Sequence, residues 1–302
     1  RQGNAVIAIK DVSDAILWSW HVWVTDEDIN NVIEITNHQN VKYNFMPVNL
    51  GQCDGNTITY EERSCKVKFI AGDQSKEITI KQLANVIATG SNAPFYQWGR
   101  KDPLYPSNGM GNTTKIWYDK EGIPSTANPM KGTFSAGNDC IKNCILNPNL
   151  MHNRYNGDYT YYNLWSADNK TTSANDNPVN KTIYDPCPVG FKLPASNAFT
   201  GFTTTGESVS SSTQVNGTWS SSEKGWYFYT NSEKTQSIFF PALGYRSYST
   251  MRPGSIGTQG CFWSAHPVAK GNNYYLRTSS VDVQPTYMVD RGFGYALRPC
   301  QD

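Results

Sequence analysis

The sequence predicts a β-rich α+β fold: mainly antiparallel strands with two or three short helices and long loops. Three observations predict it. Short aromatic stretches alternate with Gly-, Pro- and Asn-rich turns along most of the chain. Only three runs carry helical character, and all are short. Two distant cysteines sit in rigid settings, Tyr184-Asp185-Pro186-Cys187-Pro188-Val189-Gly190-Phe191-Lys192-Leu193-Pro194 and Gly292-Phe293-Gly294-Tyr295-Ala296-Leu297-Arg298-Pro299-Cys300. They read as a clasp on a loop-rich scaffold.

Asn4–Ile9 and Ala15–Thr25 read as strands around the turn Asp11-Val12-Ser13-Asp14. In the second, Ile16, Trp18, Trp20, Val22 and Val24 share one apolar face, expected to pack into the core. Ser19, His21 and Trp23 share the other. Met46–Gly51 reads as a short strand ending in a turn. Cys53 and Cys65 flank the turn signal Asp54-Gly55-Asn56. A hairpin there would join them, and the bond would add about 3 kcal/mol by chain entropy. Lys66–Ile70 and Glu77–Ile80 look like strands, and Gln82–Ala88 like a short helix. Phe95-Tyr96-Gln97-Trp98-Gly99 ends an element at a Gly stop, and roughly Leu104–Gly132 is loop. Ser135–Asn147 reads as a helix stopped by Pro148, with Cys140 and Cys144 four apart on it, too helical a setting for an easy disulfide. Tyr155–Trp165 is strand-like, Asp168–Asn180 is polar loop, and Ser196–Phe199 starts a short helix. The remainder is mainly β. It holds two hairpins of similar design, Trp219-Ser220-Ser221 with Trp226-Tyr227-Phe228 and Trp263-Ser264-Ala265 with Tyr274-Tyr275-Leu276, expected in one sheet system.

With 302 residues the chain suffices for one large domain or two ordinary ones. Aromatic residues are 13% of it, so rings must build much of the core. The formal net charge is +1 without a basic cluster, which argues against nucleic acid as a partner. The longest apolar run, Ala15–Val24, is about half a membrane span, so no transmembrane helix is expected. The chain starts at Arg1 without an initiator Met, and any targeting segment is expected upstream.

The seven cysteines are Cys53, Cys65, Cys140, Cys144, Cys187, Cys261 and Cys300, and no Cys-x-x-Cys occurs. The histidines His21, His38, His152 and His266 are scattered, so zinc is not expected. Disulfides are the better reading: Cys53 with Cys65, and Cys187 with Cys300, the second closing a long loop worth about 5 kcal/mol. No Gly-x-Ser-x-Gly elbow or Walker loop is present, and strand alternation gives Cys261 and His266 no reason to face each other. No catalytic residue and no cofactor is therefore assigned. Asp168, Asn169, Asn175, Asp176 and Asn177 offer oxygens for calcium but lack an Asp-x-Asp-x-Asp-Gly loop, so no metal is assigned. Candidate ligand-binding rings are Trp117, Tyr118, Tyr245, Tyr248 and Tyr287, in or near Gly-rich loops.

Several motifs occur in a telling order: Trp20-His21-Val22-Trp23-Val24-Thr25-Asp26, Met46-Pro47-Val48-Asn49-Leu50-Gly51, Tyr96-Gln97-Trp98-Gly99-Arg100-Lys101-Asp102-Pro103, Cys187–Pro194, Gly244-Tyr245-Arg246, Phe262-Trp263-Ser264 and Gly292–Cys300. On these the chain resembles the Fibrobacter succinogenes major paralogous domain, found in Bacteroidetes surface proteins, several of them fimbrillin-like. The resemblance implies a C-type-lectin-like fold, related in architecture to formylglycine-generating enzymes. It implies one domain over 1–302, with 1–14 as a leading strand and linker and about 104–132 as a loop insertion. Gln52-Cys53 departs from the family's aromatic-Cys pair, and Cys261 stands where a non-thiol residue is usual, leaving Cys261 as the candidate unpaired thiol. The implied function is a non-enzymatic adhesion or recognition module on the extracellular or outer-membrane surface. Its partners would be a glycan, a host or bacterial surface protein, or other pilus subunits. The alternative is metal-independent carbohydrate capture.

Overall fold

The computed structural model describes residues 2–53, 58–87, 93–104, 117–119, 121–127, 131–132, 138–152, 163–168, 171–268 and 271–302. Over these residues the fold is mostly antiparallel β. It holds one α-helix, Asn138–Leu146, and two short 3-10 helices, Ser196–Phe202 and Ser212–Gln214. The strands form several small sheets and no closed barrel. Frequent Gly and Pro stops keep each strand short. At Gly99 the backbone has φ +82, and a Cβ there would lie 2.4 Å from the Leu164 side chain, so only glycine fits the turn after strand Tyr96–Gln97. Among the described residues no helix is long and apolar enough to cross a membrane.

The C-terminal strand Cys300–Gln301 lies between Phe191–Lys192 and Lys42–Phe45, and Ile33–Thr36 completes that sheet. The clasp seen in the sequence is therefore a backbone one. Met46 and Leu50 donate to the carbonyls of Pro299 and Leu297 at 2.8 and 3.0 Å, so Met46–Gly51 is a turn bonded to the closing segment and not the expected strand. Arg298 locks the junction. Its Nε donates to Asn49 Oδ1 (2.7 Å), Nη1 to the Met46 and Pro47 carbonyls (3.2 and 2.7 Å), and Nη2 to the Phe239 carbonyl (2.7 Å). The guanidinium also lies 4.4 Å from the Phe240 ring, and its burial depresses the Arg298 pKa to about 9.

None of the seven cysteines is in a disulfide, which corrects both expected pairings. Cys65 is exposed on the hairpin Arg63–Ala71/Gln74–Gln82, opposite Ile80. Cys53 instead sits against Asn4 Nδ2 and the Gly51 carbonyl; its turn neighbours 54–57 lie outside the described residues. Cys187 and Cys300 are both buried. The Cys187 thiol is engaged by the Asp185 carboxylate, which also accepts the Cys187 and Leu193 amides at 2.8 and 3.0 Å. Burial pushes Cys187 well up and Cys300 to about 12. Neither is a thiolate near neutral pH, so neither is primed to attack sulfur.

The predicted N-terminal hairpin forms, Gly3–Lys10 against Ile16–Val24, but from Ser19 to Val24 the opposite face is inward, whereas Ile16 and Trp18 of the expected face stay half-buried and Leu17 is exposed. Ser19 is buried, while Trp20 is 49% exposed and the cross-strand Ile7 and Ile9 are 55% and 52% exposed. The reason is specific bonding. Ser19 meets Asp102, His21 meets Tyr96, and Trp23 Nε1 donates to the Gln52 carbonyl at 2.9 Å. These polar anchors outweigh burial of the Trp20/Val22/Val24 row.

Of the expected helix Gln82–Ala88, the described residues 82–87 are not helical, and Ala88 lies outside the described residues. Gln82 ends the exposed hairpin, and Asn85–Ile87 is a strand paired with Ile58–Tyr60. A run that short is below the length at which a helix sustains itself, and cross-strand pairing prevails. The helix expected at Ser135–Asn147 is found at Asn138–Leu146, with Asp139 in its first turn and Pro148 beyond its end. The helix expected from Ser196 is the 3-10 turn. Most of Tyr155–Trp165 and of the loop 104–132 lies outside the described residues.

The two similar hairpins form in separate three-stranded sheets: Gly217–Ser220, Gly225–Tyr229, Ser237–Pro241, and Gly260–Pro267, Asn272–Thr278, Val283–Asp290. In each a Trp faces an aromatic partner edge-on, Trp219–Trp226 at 5.9 Å and Trp263–Tyr275 at 5.8 Å. The core comprises two ring-rich clusters. One gathers Phe45, Phe199, Phe202, Phe228, Phe240 and Phe262. The other gathers Tyr96, Trp98, Trp165, Trp263, Tyr275 and Tyr295.

Candidate functional site

Tyr245 lies in a two-residue strand opposite Gly254. A Cβ at Gly254 would come within 3.1 Å of the Tyr245 ring, and at Gly244 (φ +75) within 2.2 Å of the Gly254 carbonyl, so this corner closes only with glycines. Phe293 then receives two tyrosines edge-on, Tyr245 at 5.5 Å and Tyr248 at 4.8 Å. Phe293 stacks at 5.7 Å on Tyr295, which packs at 4.6 Å on Tyr275, which meets Tyr287 edge-on at 5.7 Å. Tyr275 and Tyr295 are buried, and burial raises both phenols. The ends of this chain of rings are open: Tyr245, Tyr248 and Phe293 are half-buried, and Tyr287 is 44% exposed.

Polar groups flank the Tyr287 end. Arg277 lies 5.8 Å from the Tyr287 ring and donates from Nη1 to Asp282 Oδ1 (3.2 Å) and Gln284 Oε1 (3.0 Å). Rings beside a planar guanidinium, an amide and a carboxylate can stack on a flat apolar face while bonding hydroxyls. The structure thus joins three of the five predicted rings, Tyr245, Tyr248 and Tyr287, through Phe293, Tyr295 and Tyr275. Trp117 and Tyr118 stand apart, in a short ribbon paired with Ser125 and Pro124.

Asp176, from the polar loop considered for calcium, has both oxygens occupied. Oδ1 accepts from Asn37 Nδ2 and the Tyr43 hydroxyl, both at 2.7 Å, and Oδ2 from Asn197 Nδ2 at 2.8 Å. Asp168 is bonded by Asn180 Nδ2, and Asn169 lies outside the described residues. Among the described residues no group of three or more His, Cys, Asp or Glu is placed to hold a metal. Cys261 and His266 share a strand without meeting as a pair. Burial raises Cys261 to about 12, while His266 Nδ1 accepts from the Ser196 amide at 3.2 Å.

Sequence reasoning missed one buried polar cluster. The Ser19 hydroxyl lies 3.0 and 2.9 Å from the Asp102 carboxylate oxygens, and Lys101 Nζ donates to Ser19 Oγ at 2.5 Å and to Asp102 Oδ2 at 2.6 Å. Burial lowers Lys101, with Asp102 opposing. Beside it Tyr96 donates to His21 Nδ1 and His21 Nε2 to Asn4 Oδ1, each at 2.8 Å, and burial depresses His21 to about 4. Ser19 is 1% exposed and its proton is committed to Asp102, so the cluster ties the N-terminal hairpin to the Gly99–Pro103 turn. The available signal was a serine and a histidine alternating within an otherwise apolar strand.

Comparison with protein-family models, with curated proteins and with solved structures found no match.

Proposed function

We propose that the chain is a non-enzymatic recognition or adhesion module of a fimbrillin-like or lipid-anchored surface protein, built on a C-type-lectin-like scaffold. The observation that carries this reading is the chain of rings Tyr248–Phe293–Tyr245–Tyr295–Tyr275–Tyr287, rigid in its buried middle and open at both ends. Rigid rings offer large contact area at small entropic cost, which favours binding over chemistry. The ordered motifs from Trp20 to Cys300 support the surface location and the company of other pilus subunits.

The alternative, metal-independent carbohydrate capture, is favoured by Arg277, Asp282 and Gln284 beside Tyr287. One experiment separates the two. The chain is applied to a glycan array and, in parallel, to immobilised host and bacterial surface proteins. Binding to glycans that drops more than about 30-fold in Tyr287→Ala, on the scale of an interface hot spot, selects capture. Protein binding lost in Tyr245→Ala/Tyr248→Ala selects adhesion. Retention of all binding in these variants overturns both.

A further inference from the structure

We propose that the outer edge of strand Gln74–Gln82 is an interface for a second copy of this chain, the two strands pairing antiparallel about a two-fold axis at Thr79. The inference is independent of the ring site. Ile58–Tyr60 pairs with Asn85–Ile87, and beyond them Arg63–Ala71 pairs with Gln74–Gln82 in unbroken register. Together they make a two-stranded arm. Residues 63–81 are all exposed except the half-buried Val67, so the rest of the chain covers neither face of the tip. Among the described residues no further strand lies on either edge. A two-stranded ribbon is marginal in water by itself, and an open edge of amides and carbonyls is a template for another strand.

Charge selects the occupant. The register puts Val67, Ile78 and Ile80 on one face of the arm and Lys66, Glu77, Thr79 and Lys81 on the other. The run Lys76-Glu77-Ile78-Thr79-Ile80-Lys81-Gln82 complements itself when reversed. With Thr79 opposite Thr79 of a second copy, Ile78 meets Ile80 and Glu77 meets Lys81, and the two-fold axis repeats both matches. Opposite charges, paired threonines and paired β-branched side chains are each favourable across strands. Within the chain Lys66 already pairs with Glu77 at 2.9 Å and Lys81 with Glu62 at 3.0 Å. The interface joins these pairs into one run of alternating charge across the two copies.

Other pairings lose this match. A slip of one residue turns the apolar faces of the two copies to opposite sides. Centring the axis on Ile78 sets Lys76 against Ile80 and leaves Glu77 against Thr79. Pairing through Arg63–Ala71 about Val67 sets Lys66 against Lys68, like charges that protect that edge from addition.

The test is sedimentation of the unaltered chain, Glu77→Lys, Lys81→Glu and the double variant over a range of concentrations at low salt. Reductant keeps the exposed Cys65 from cross-linking copies. The expected result is a monomer–dimer equilibrium, about tenfold weaker in each single variant because two pairs turn repulsive at once. The double variant, and an equimolar mixture of the two single variants, should recover the parental association, since opposite charges face each other again. A chain that stays monomeric at its highest soluble concentration, single variants that associate like the parent, or no recovery in the double variant or the mixture would overturn the proposal. Should a variant fail to fold, hydrogen exchange of the unaltered chain decides. Amide protection that rises with concentration across residues 76–82 supports the pairing, and protection gained only elsewhere, as around the exposed Trp20, overturns it.

Discussion

Replacing Arg298 with methionine should destabilise the fold by about 3 kcal/mol, more than removing either neighbouring cysteine. Methionine keeps much of the volume over Phe240 but donates nothing. Four acceptors then lose their donor: Asn49 Oδ1 and the carbonyls of Met46, Pro47 and Phe239. Each buried acceptor left unmade costs about 1–3 kcal/mol. Summed over the four this is about 4–12 kcal/mol; relief of the charge burial that depresses Arg298 from 12.5 to about 9 returns about 5 kcal/mol, so the middle of the range leaves a net of about 3 kcal/mol. Against a typical domain stability of about 5–15 kcal/mol this is large. Urea unfolding followed by tryptophan fluorescence reads it as a fall in the midpoint. Cys187→Ala and Cys300→Ala should each cost about 1 kcal/mol, and the midpoint of the unaltered chain should be the same with and without reductant. A loss below about 1 kcal/mol in Arg298→Met, or a reductant-sensitive midpoint, would refute the view that hydrogen bonds and not a disulfide close this junction.

Acid should weaken the fold through His266. Burial depresses its folded pKa to about 4 from an ordinary 6.5, so its contribution is fully present above pH 6.5 and falls as the pH drops toward 4. The loss is about 3 kcal/mol at 1.36 kcal/mol per unit; urea midpoints at several pH values should show it, and His266→Gln should flatten the slope. Trp20→Ser should change stability by less than about 0.5 kcal/mol, whereas Trp226→Ala, in the phenylalanine-rich cluster, should cost about 3–5 kcal/mol; equal effects would contradict the outward orientation of Trp20. Gly244→Ala should cost more than about 1 kcal/mol, since φ is +75 and the new Cβ would strike the Gly254 carbonyl. Thermal scans check it, and a neutral result would mean the corner can relax.

The β-rich class was legible because turns at Asp14 and Gly99 are local signals. The helix at Asn138–Leu146 was legible for the same reason, since Pro148 stops it. The buried face of Ile16–Val24 was not. Alternation shows that two faces exist, but Ser19, His21 and Trp23 turn inward because Asp102, Tyr96 and Gln52 await them, and those partners are remote in sequence. The cysteine pairings failed similarly: Pro-flanked spacing indicates a junction at Cys187 and Cys300 but not what bonds it, and Arg298 and strand pairing perform that role. Of the ring site, Tyr245, Tyr248 and Tyr287 were marked by nearby glycines. Phe293, Tyr295 and Tyr275, which connect them, read in sequence only as ordinary core.

The placement of Cys300–Gln301 between Phe191–Lys192 and Lys42–Phe45 has a kinetic consequence. Lys42–Phe45 pairs with Ile33–Thr36 at once, but its other edge waits for a strand more than two hundred residues away. During synthesis that edge stays unfilled until residue 300 has emerged. Closing so long a loop is costly in entropy, and such topologies fold slowly. The free edge of Lys42–Phe45 therefore stays open to strand addition until Cys300–Gln301 arrives to fill it.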